Sequence, residues 1–288
     1  MTRVDELYIS ALEDIKNNGY NEKYVKEGIV RPRWSDNEPA YTQYLPQYFV
    51  RYNKDETPIT NLRSIAWKAG IKEILWIYQD KSPDVNLLKE KYGVNYWDEW
   101  ANEEGSLGTA YGYQIGKEFI SPETGHSTNQ IDRLLENIKN QPLNRRHMMN
   151  MIHMEDMKEM GLIPCAFMTL WTVVEDRLNL TLIQRSGDFI AAASPGGINA
   201  IQYYALLLMV CRHTGYKPGE FVHFVQNLHI YDRHIDIANE IITKKADYPT
   251  PNLKLREGPN NFYDISLDDF YMEDYNPDNT KYNIPIAI

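Results

Sequence analysis

The chain has 288 residues, a formal net charge of −10 and two cysteines. That length is enough to bury a substantial core, while the acidic balance argues against a general nucleic-acid binder, which needs concentrated Lys and Arg, so no DNA binding is expected. Cys165 and Cys211 cannot build a disulfide framework, the opening "MTRVDELYISALEDIKNNGY" lacks an apolar signal core, and no run approaches the roughly 18 apolar residues of a membrane span; the expectation is a cytoplasmic protein with no membrane contact.

In chain order, "DELYISALEDIKNNG" reads as a first helix, with Tyr8, Ala11, Leu12 and Ile15 on one face and a stop at Gly19. "SIAWKAGIKEILWIYQ" is a stronger one, burying Trp67, Ile71, Ile74, Leu75 and Tyr78. "IDRLLENIKN" is a third, and the almost wholly apolar "AIQYYALLLMVCRHTG" a fourth that should run through the core, with Cys211 inside it. Between the third and fourth lie strand-like runs, "CAFMTLWTVV" and, after a tight connection, "RLNLTLIQRS", whose alternation suits one buried face. "FVHFVQNLHIY" is a further strand. The tail ends in an apolar "IPIAI", which should dock onto something. With no repeat, low-complexity tract or Gly/Ser linker, residues 1–288 read as one α+β domain, a mixed or antiparallel sheet packed with long helices.

Two features carry chemistry. Arginines sit on short polar stretches, "RPRW" (31–34), "NRRH" (144–147) and "IQRSGD" (183–188), where each is either a solvated charge or part of a site for a small anionic ligand. Cys165 directly follows Pro164 at the mouth of a strand; an isolated cysteine is usually a small core hydrophobe. The hairpin that follows would nevertheless return Arg185 and Ser186 close to the sulfur, and a neighbouring cation favours the thiolate.

In order and spacing, "AWKAGIKEILW", "YWDEWANEEGSLGTAYGYQ", "RR", "PC", "QRSGD", "NAIQYYALL" and "HIYDRH" resemble the folate-dependent thymidylate synthases, over nearly the whole chain to the terminal "IPIAI". The resemblance implies transfer of a one-carbon unit from 5,10-methylenetetrahydrofolate to carbon 5 of dUMP, without metal or flavin. Carbon 5 of uracil is a poor nucleophile until a soft thiolate adds at carbon 6, and by the same resemblance Cys165 is that thiolate. Glu73 is the acid/base carboxylate, Tyr111 lies near the carbon 5 proton, and Asn199 reads the uracil edge. Arg31, Gln184, Arg185 and Ser186 bind the nucleotide in one subunit. Arg145 and Arg146 reach in from another, which implies a homodimer with shared active sites and a sheet as its interface. His229 and Tyr231 contact the ribose. Trp97, Trp100, Asp188 and Ile288 form the folate surface.

The chain departs from the family pattern in places. Ala166 stands where most members have His. The loop before Asn199, "IAAASPGGIN", is about three residues longer than the usual turn and lacks its Phe; Val225, Gln226 and Asn227 replace a "GGD", and "RPRW" replaces "RTGT". These changes cluster on the pterin side. They leave open a synthase with a repacked loop, a deoxyuridylate hydroxymethyltransferase in which water quenches the exocyclic methylene, and a silent nucleotide- or RNA-binding relative, against which Cys165 and Glu73 argue. His223, His229 and His234 are close in sequence, but their spacing suits neither a helical pair nor a strand face of zinc ligands.

Overall fold

The computed structural model describes residues 1–24, 29–245 and 247–288. Helix α1 (Arg3–Asn18) opens on a capping box in which Thr2 and Asp5 satisfy each other's backbone, and it buries Tyr8, Ala11, Leu12 and Ile15. The short β1 (Tyr20–Asn21) pairs with the long β2 (Thr42–Tyr52). Helix α2 (Trp67–Ile74) continues as a π-helical turn over Leu75–Asp80, a rare winding that recurs at functional sites. Then follow α3 (Val85–Tyr92), the five-residue α4 (Gly112–Gly116), the small hairpin β3 (Phe119–Ile120) and β4 (Ser127–Thr128), α5 (Gln130–Asn140) and β5 (Met148–Asn150).

The expected hairpin is β6 (Ala166–Val174) and β7 (Arg177–Gln184). After β8 (Gly187–Asp188), helix α6 (Ile198–Thr214) carries the chain across to β9 (Lys217–Tyr231), which lies parallel to β7. Helix α7 (Ile235–Ile242) and the hairpin β10 (Asn252–Leu255) with β11 (Phe270–Glu273) complete the order. The main sheet runs β1-β2-β9-β7-β6-β5, with β8 added beside β9. It is mixed, as expected, because β7 and β9 are joined by the α6 crossover while the other long pairs are antiparallel.

One face of this sheet is core: Tyr52, Phe221, Leu180 and Trp171 occupy it, covered by α6, on which α2 packs in turn. The other face is apolar yet uncovered. Cross-strand partners make two continuous rows over five strands, Phe49–Phe224–Ile183–Met168–Asn150 and Arg51–Val222–Thr181–Leu170–Met148, and every side chain in them retains solvent exposure.

The tail docks. Ile288 pairs through its backbone with Arg33, N to O at 2.9 Å and O to N at 2.6 Å, and Ala287 packs on a cluster of Trp34, Ala40 and Tyr231. Among the described residues no helix is long and apolar enough to cross a membrane.

Candidate active site

Glu73 sits on the buried face of α2, 6% exposed. Among the described residues no ion pair holds it there; the Trp97 indole N–H donates to one carboxylate oxygen and the Gln202 amide to the other. Burial dominates those hydrogen bonds and pushes the carboxyl up to about 7, where it can hold or release a proton near neutrality. Gln202 reaches it because α2 carries Gly70 at the crossing with α6. A Cβ on Gly70 would lie 2.8 Å from Gln202 Cγ and 3.1 Å from Ile198 Cγ1.

From Glu73 a run of amides crosses to the sheet. Asn199 Nδ2 donates to Gln202 Oε1 at 2.9 Å, Gln184 Nε2 to Asn199 Oδ1 at 3.1 Å, and His223 Nε2 meets Gln184 Oε1 at 2.8 Å. Because each amide has its oxygen on one side and its nitrogen on the other, all donors point the same way, toward Glu73, and His223 carries its proton on Nε2. Burial drives the His223 imidazole well down, so it stays neutral. Asn199 is thereby left with one N–H and one lone pair outside this chain.

Cys165 stands at the foot of β6, partly exposed. The hairpin returns as expected: the Arg185 backbone N–H donates to the Cys165 carbonyl at 2.9 Å. The guanidinium turns toward the chain before the cysteine, Nε to the Pro164 carbonyl at 3.1 Å and Nη2 to that of Ile163 at 2.6 Å. Arg185 lowers the thiol pKa as expected, but burial outweighs it and the thiol lies above its ordinary value. Between thiol and carboxylate stands Tyr111, whose phenol lies against the Cys165 backbone N–H and feels both Cys165 and Glu73. Its backbone is strained, at φ 48° and ψ −108°, immediately before α4. Tyr203, bonded to the Ala166 carbonyl at 3.2 Å, feels the same two groups.

His229 and Tyr231 leave the end of β9 with ring centroids 4.9 Å apart. The His229 Nδ1 contacts Asn227 Oδ1 at 2.9 Å, so one residue of the unusual 225–227 segment orients the imidazole. Asp188, opposite His229 in the β8–β9 pairing, accepts from the Ile190 and Ala191 N–H groups and faces His234 Nδ1 at 3.5 Å. Trp97 meets Tyr111 edge-on at 5.0 Å and Trp100 at 5.6 Å. Arg31 is held by Glu22, at 3.5 Å to its carboxylate and 3.1 Å to its carbonyl.

Two expected site residues stay apart from the rest. Arg145 and Arg146 lie in the exposed loop Gln141–Arg146, and the carbonyl of His147, next in the chain, accepts from Trp171 N–H on β6. Trp171 and Cys165 are separated by about 20 Å of strand at ~3.3 Å per residue, more than an arginine can span. Ile288 has its side chain 56% exposed. The long loop before Asn199 is not an open surface feature: Phe189, Ile190 and Ala193 are buried, with Phe189 stacked edge-on to Tyr8 at 4.8 Å. Gly196, at φ 71°, donates to the Tyr52 hydroxyl and accepts from Thr60 N–H.

Thiol, carboxylate, amide and aromatic wall thus converge at one end of the sheet. A family model described as thymidylate synthase matches residues 6–288.

The chain belongs to the thymidylate synthase family.

It is 39% identical to thymidylate synthase of Lactococcus lactis subsp. cremoris with all of both chains covered, and 38% identical to that of Bacillus subtilis subsp. natto over 96% of each. The solved structure of thermostable thymidylate synthase A from Bacillus subtilis matches it with a TM-score of 0.91 at 36% identity, covering 100% of both chains. The expected family and α+β fold are therefore both correct. Thymidylate synthases use methylenetetrahydrofolate as co-substrate. Among the described residues no cluster of His, Cys, Asp and Glu is arranged to hold a metal ion; His223, His229 and His234 each have a separate partner, Gln184, Asn227 and Asp188.

Sequence reasoning missed Gln202, which joins Asn199 to Glu73. Its signal was present, a polar residue three positions after Asn199 on an otherwise apolar helix, hence on the same face. It also missed His223, weighed only as a metal ligand, which ends the run of amides at Gln184.

Proposed function

We propose that this chain converts dUMP to dTMP with methylenetetrahydrofolate, using Cys165 as nucleophile within a catalytic unit spanning residues 1–288. The observation that carries the reading is the convergence of the Cys165 thiol and the Glu73 carboxyl on Tyr111, with the Asn199 amide tied to Glu73 through Gln202. The thiol loses its proton as its sulfur bonds to carbon 6, and Arg185 favours the anion. Asn199 uses its free N–H toward uracil O4 and its free lone pair toward N3–H. Glu73, poised near neutrality, moves the proton that enolisation of the base requires, and Tyr111 stands by carbon 5.

Half-buried Trp100 beside Trp97, with the Asp188 carboxylate, fits an aromatic, hydrogen-bonding pterin. Methylenetetrahydrofolate supplies there the one-carbon unit and the hydride. His229 and Tyr231 hold the ribose, and Arg31, Gln184, Arg185 and Ser186 the nucleotide's polar edge; Arg185 releases its carbonyl contacts to do so. Arg145 and Arg146 serve the site of a second copy, and the two apolar rows on the open sheet face form the homodimer contact.

The buried packing of the long loop supports the synthase over the hydroxymethyltransferase, since its added residues fill core against α1 instead of opening a path for water. Supplying dUMP and methylenetetrahydrofolate should yield dTMP by mass spectrometry and an equal rise in dihydrofolate absorbance. 5-Hydroxymethyl-dUMP without dihydrofolate would overturn the reading.

A further inference from the structure

The amide run between Glu73 and β9 has two ends, and they differ in kind. At one end the Glu73 carboxylate accepts from Gln202. That end is conditional: once the carboxyl takes up a proton its O–H can donate, and a Gln202 amide turned over would be received as well as the present one. At the other end stands His223, buried on the core face of β9, stacked on Phe221 at 6.3 Å and 10° and flanked across the sheet by buried Leu182 and Val50. Its ring has one hydrogen-bonding partner among the described residues, Gln184 Oε1, 2.8 Å from Nε2. A proton on Nδ1 would be a buried N–H without an acceptor, the rarer kind of orphan, so the neutral ring keeps its proton on Nε2 and donates. Gln184 in turn aims its own Nε2 the other way, at the Ser186 carbonyl at 2.9 Å and Asn199 Oδ1 at 3.1 Å.

We propose that His223 is a positioning residue that determines base specificity: its donation fixes the sense of every amide behind it, and so makes the site accept a uracil nucleotide and refuse a cytosine one. The consequence follows from the symmetry of an amide. Asn199 shows the base one N–H and one lone pair, which in the present sense suit uracil O4 and N3–H. Turned over, the same two groups suit cytosine, the N–H toward its bare N3 and the lone pair toward its 4-amino group. Nothing in Asn199 itself prefers one sense; Gln184 decides it, and Gln184 is held by the His223 N–H and the Ser186 carbonyl. To turn over, Gln184 would set its amide N–H against the His223 N–H and its oxygen against that carbonyl, two mismatches in a buried setting. Because the Glu73 end changes character with each proton it takes, the sheet end is the one that holds throughout a reaction cycle. The role rests on Asn199 facing the base, as proposed above.

The test is the ratio of the dCMP and dUMP dissociation constants of the free protein, measured by competition in equilibrium dialysis. His223→Leu, which removes the donor, should bring the two constants about fivefold closer. His223→Gln, which can still donate to Gln184, should restore most of the gap; a mere loss of packing would weaken both nucleotides alike. An unchanged ratio in His223→Leu would mean that the Ser186 carbonyl alone holds Gln184, and overturns the proposal. Asn199→Ala separates the proposal from the reading beneath it: a gap that closes in Asn199→Ala and persists in His223→Leu removes the role of His223 only, whereas a gap that persists in both removes Asn199 as the reader of the base as well. Should His223→Leu fail to fold, nitrogen NMR of the parent protein labelled at histidine decides. A neutral ring protonated on Nε2 is expected both free and with dUMP bound, and a proton on Nδ1 overturns the proposal.

Discussion

At the scale of single residues, Glu73 ties stability to function. In the native state burial pushes its pKa up to about 7 from 4.5, so the folded chain keeps a proton that the unfolded chain releases across that window, and stability falls as pH rises through it. Urea unfolding at about pH 5 and about pH 8 should show a loss on the order of 3 kcal/mol from this group, largely absent in Glu73→Gln. Cys165→Ser should abolish turnover yet still bind dUMP in equilibrium dialysis, because the nucleotide contacts remain; turnover near the parent level would remove Cys165 as nucleophile. Asn199→Asp should move preference toward dCMP, since a protonated carboxyl offers a different donor–acceptor face, and an unchanged uracil preference in competition assays would mean another group reads the base. Cys165 and Glu73 were legible because each is the wrong chemistry for its setting, a thiol at a polar strand mouth and a carboxylate on an apolar helix. Gln202 was not, because its role depends on which helix faces Glu73.

At the scale of elements, what the sequence revealed was what repeats with a clean period. The β6–β7 hairpin and helices α1, α2, α5 and α6 follow two- or 3.6-residue patterns and stand where expected, within a few residues. Strand β2 was not recognised. Its "TQYLPQYFVRY" contains Pro46, and Gln47 takes a φ of 58° between the pairs Pro46–Asn227 and Tyr48–Val225; the register continues unshifted, but the alternation of buried and exposed residues is interrupted there. The sequence left the long loop open between a repacked loop and one that admits water on the pterin side; its Ile190 and Ala193 pack into core, a destination decided by α1, far away in sequence. The α2–α6 crossing is the element contact most exposed to substitution. Gly70→Ala should cost about 1–3 kcal/mol by overpacking and also lower kcat by displacing Gln202 from Glu73. Loss of stability with kcat untouched would show that Gln202 re-forms its contact elsewhere along the helix.

At the scale of the whole molecule, the position of Arg145 and Arg146 has a direct test. Cys165→Ser chains mixed with Arg145→Ala, Arg146→Ala chains should regain activity, since one hybrid site then holds a good thiol and good arginines; absence of rescue would mean that each site is built from one chain. The tail should respond to pH. His234 contacts the Pro285 carbonyl at 2.9 Å and faces Asp188; its pKa is raised, chiefly by Asp188 against the opposing effect of burial, while that of Asp188 is lowered. The His234 contribution is full below the ordinary histidine value and fades as pH rises through the raised one. Asp188 contributes above the ordinary carboxylate value, and its share is lost as pH falls through the depressed one. Carboxypeptidase should therefore release the terminal residues faster at mildly alkaline pH than near neutrality, and equal rates at the two would detach His234 from tail anchoring.

The uncovered sheet face also bears on how a newly made chain survives. Its two rows draw on β2, β5, β6, β7 and β9, strands spread from Thr42 to Tyr231, so the face is complete only after nearly all of the chain has left the ribosome and the slow non-local pairings have formed. If a second copy covers it, as proposed, the apolar lattice is open to any sticky neighbour until that copy arrives. Yield of usable protein should thus depend on synthesis rate in an uneven way: too slow and each chain waits long for its mate, too fast and half-paired strands meet one another first.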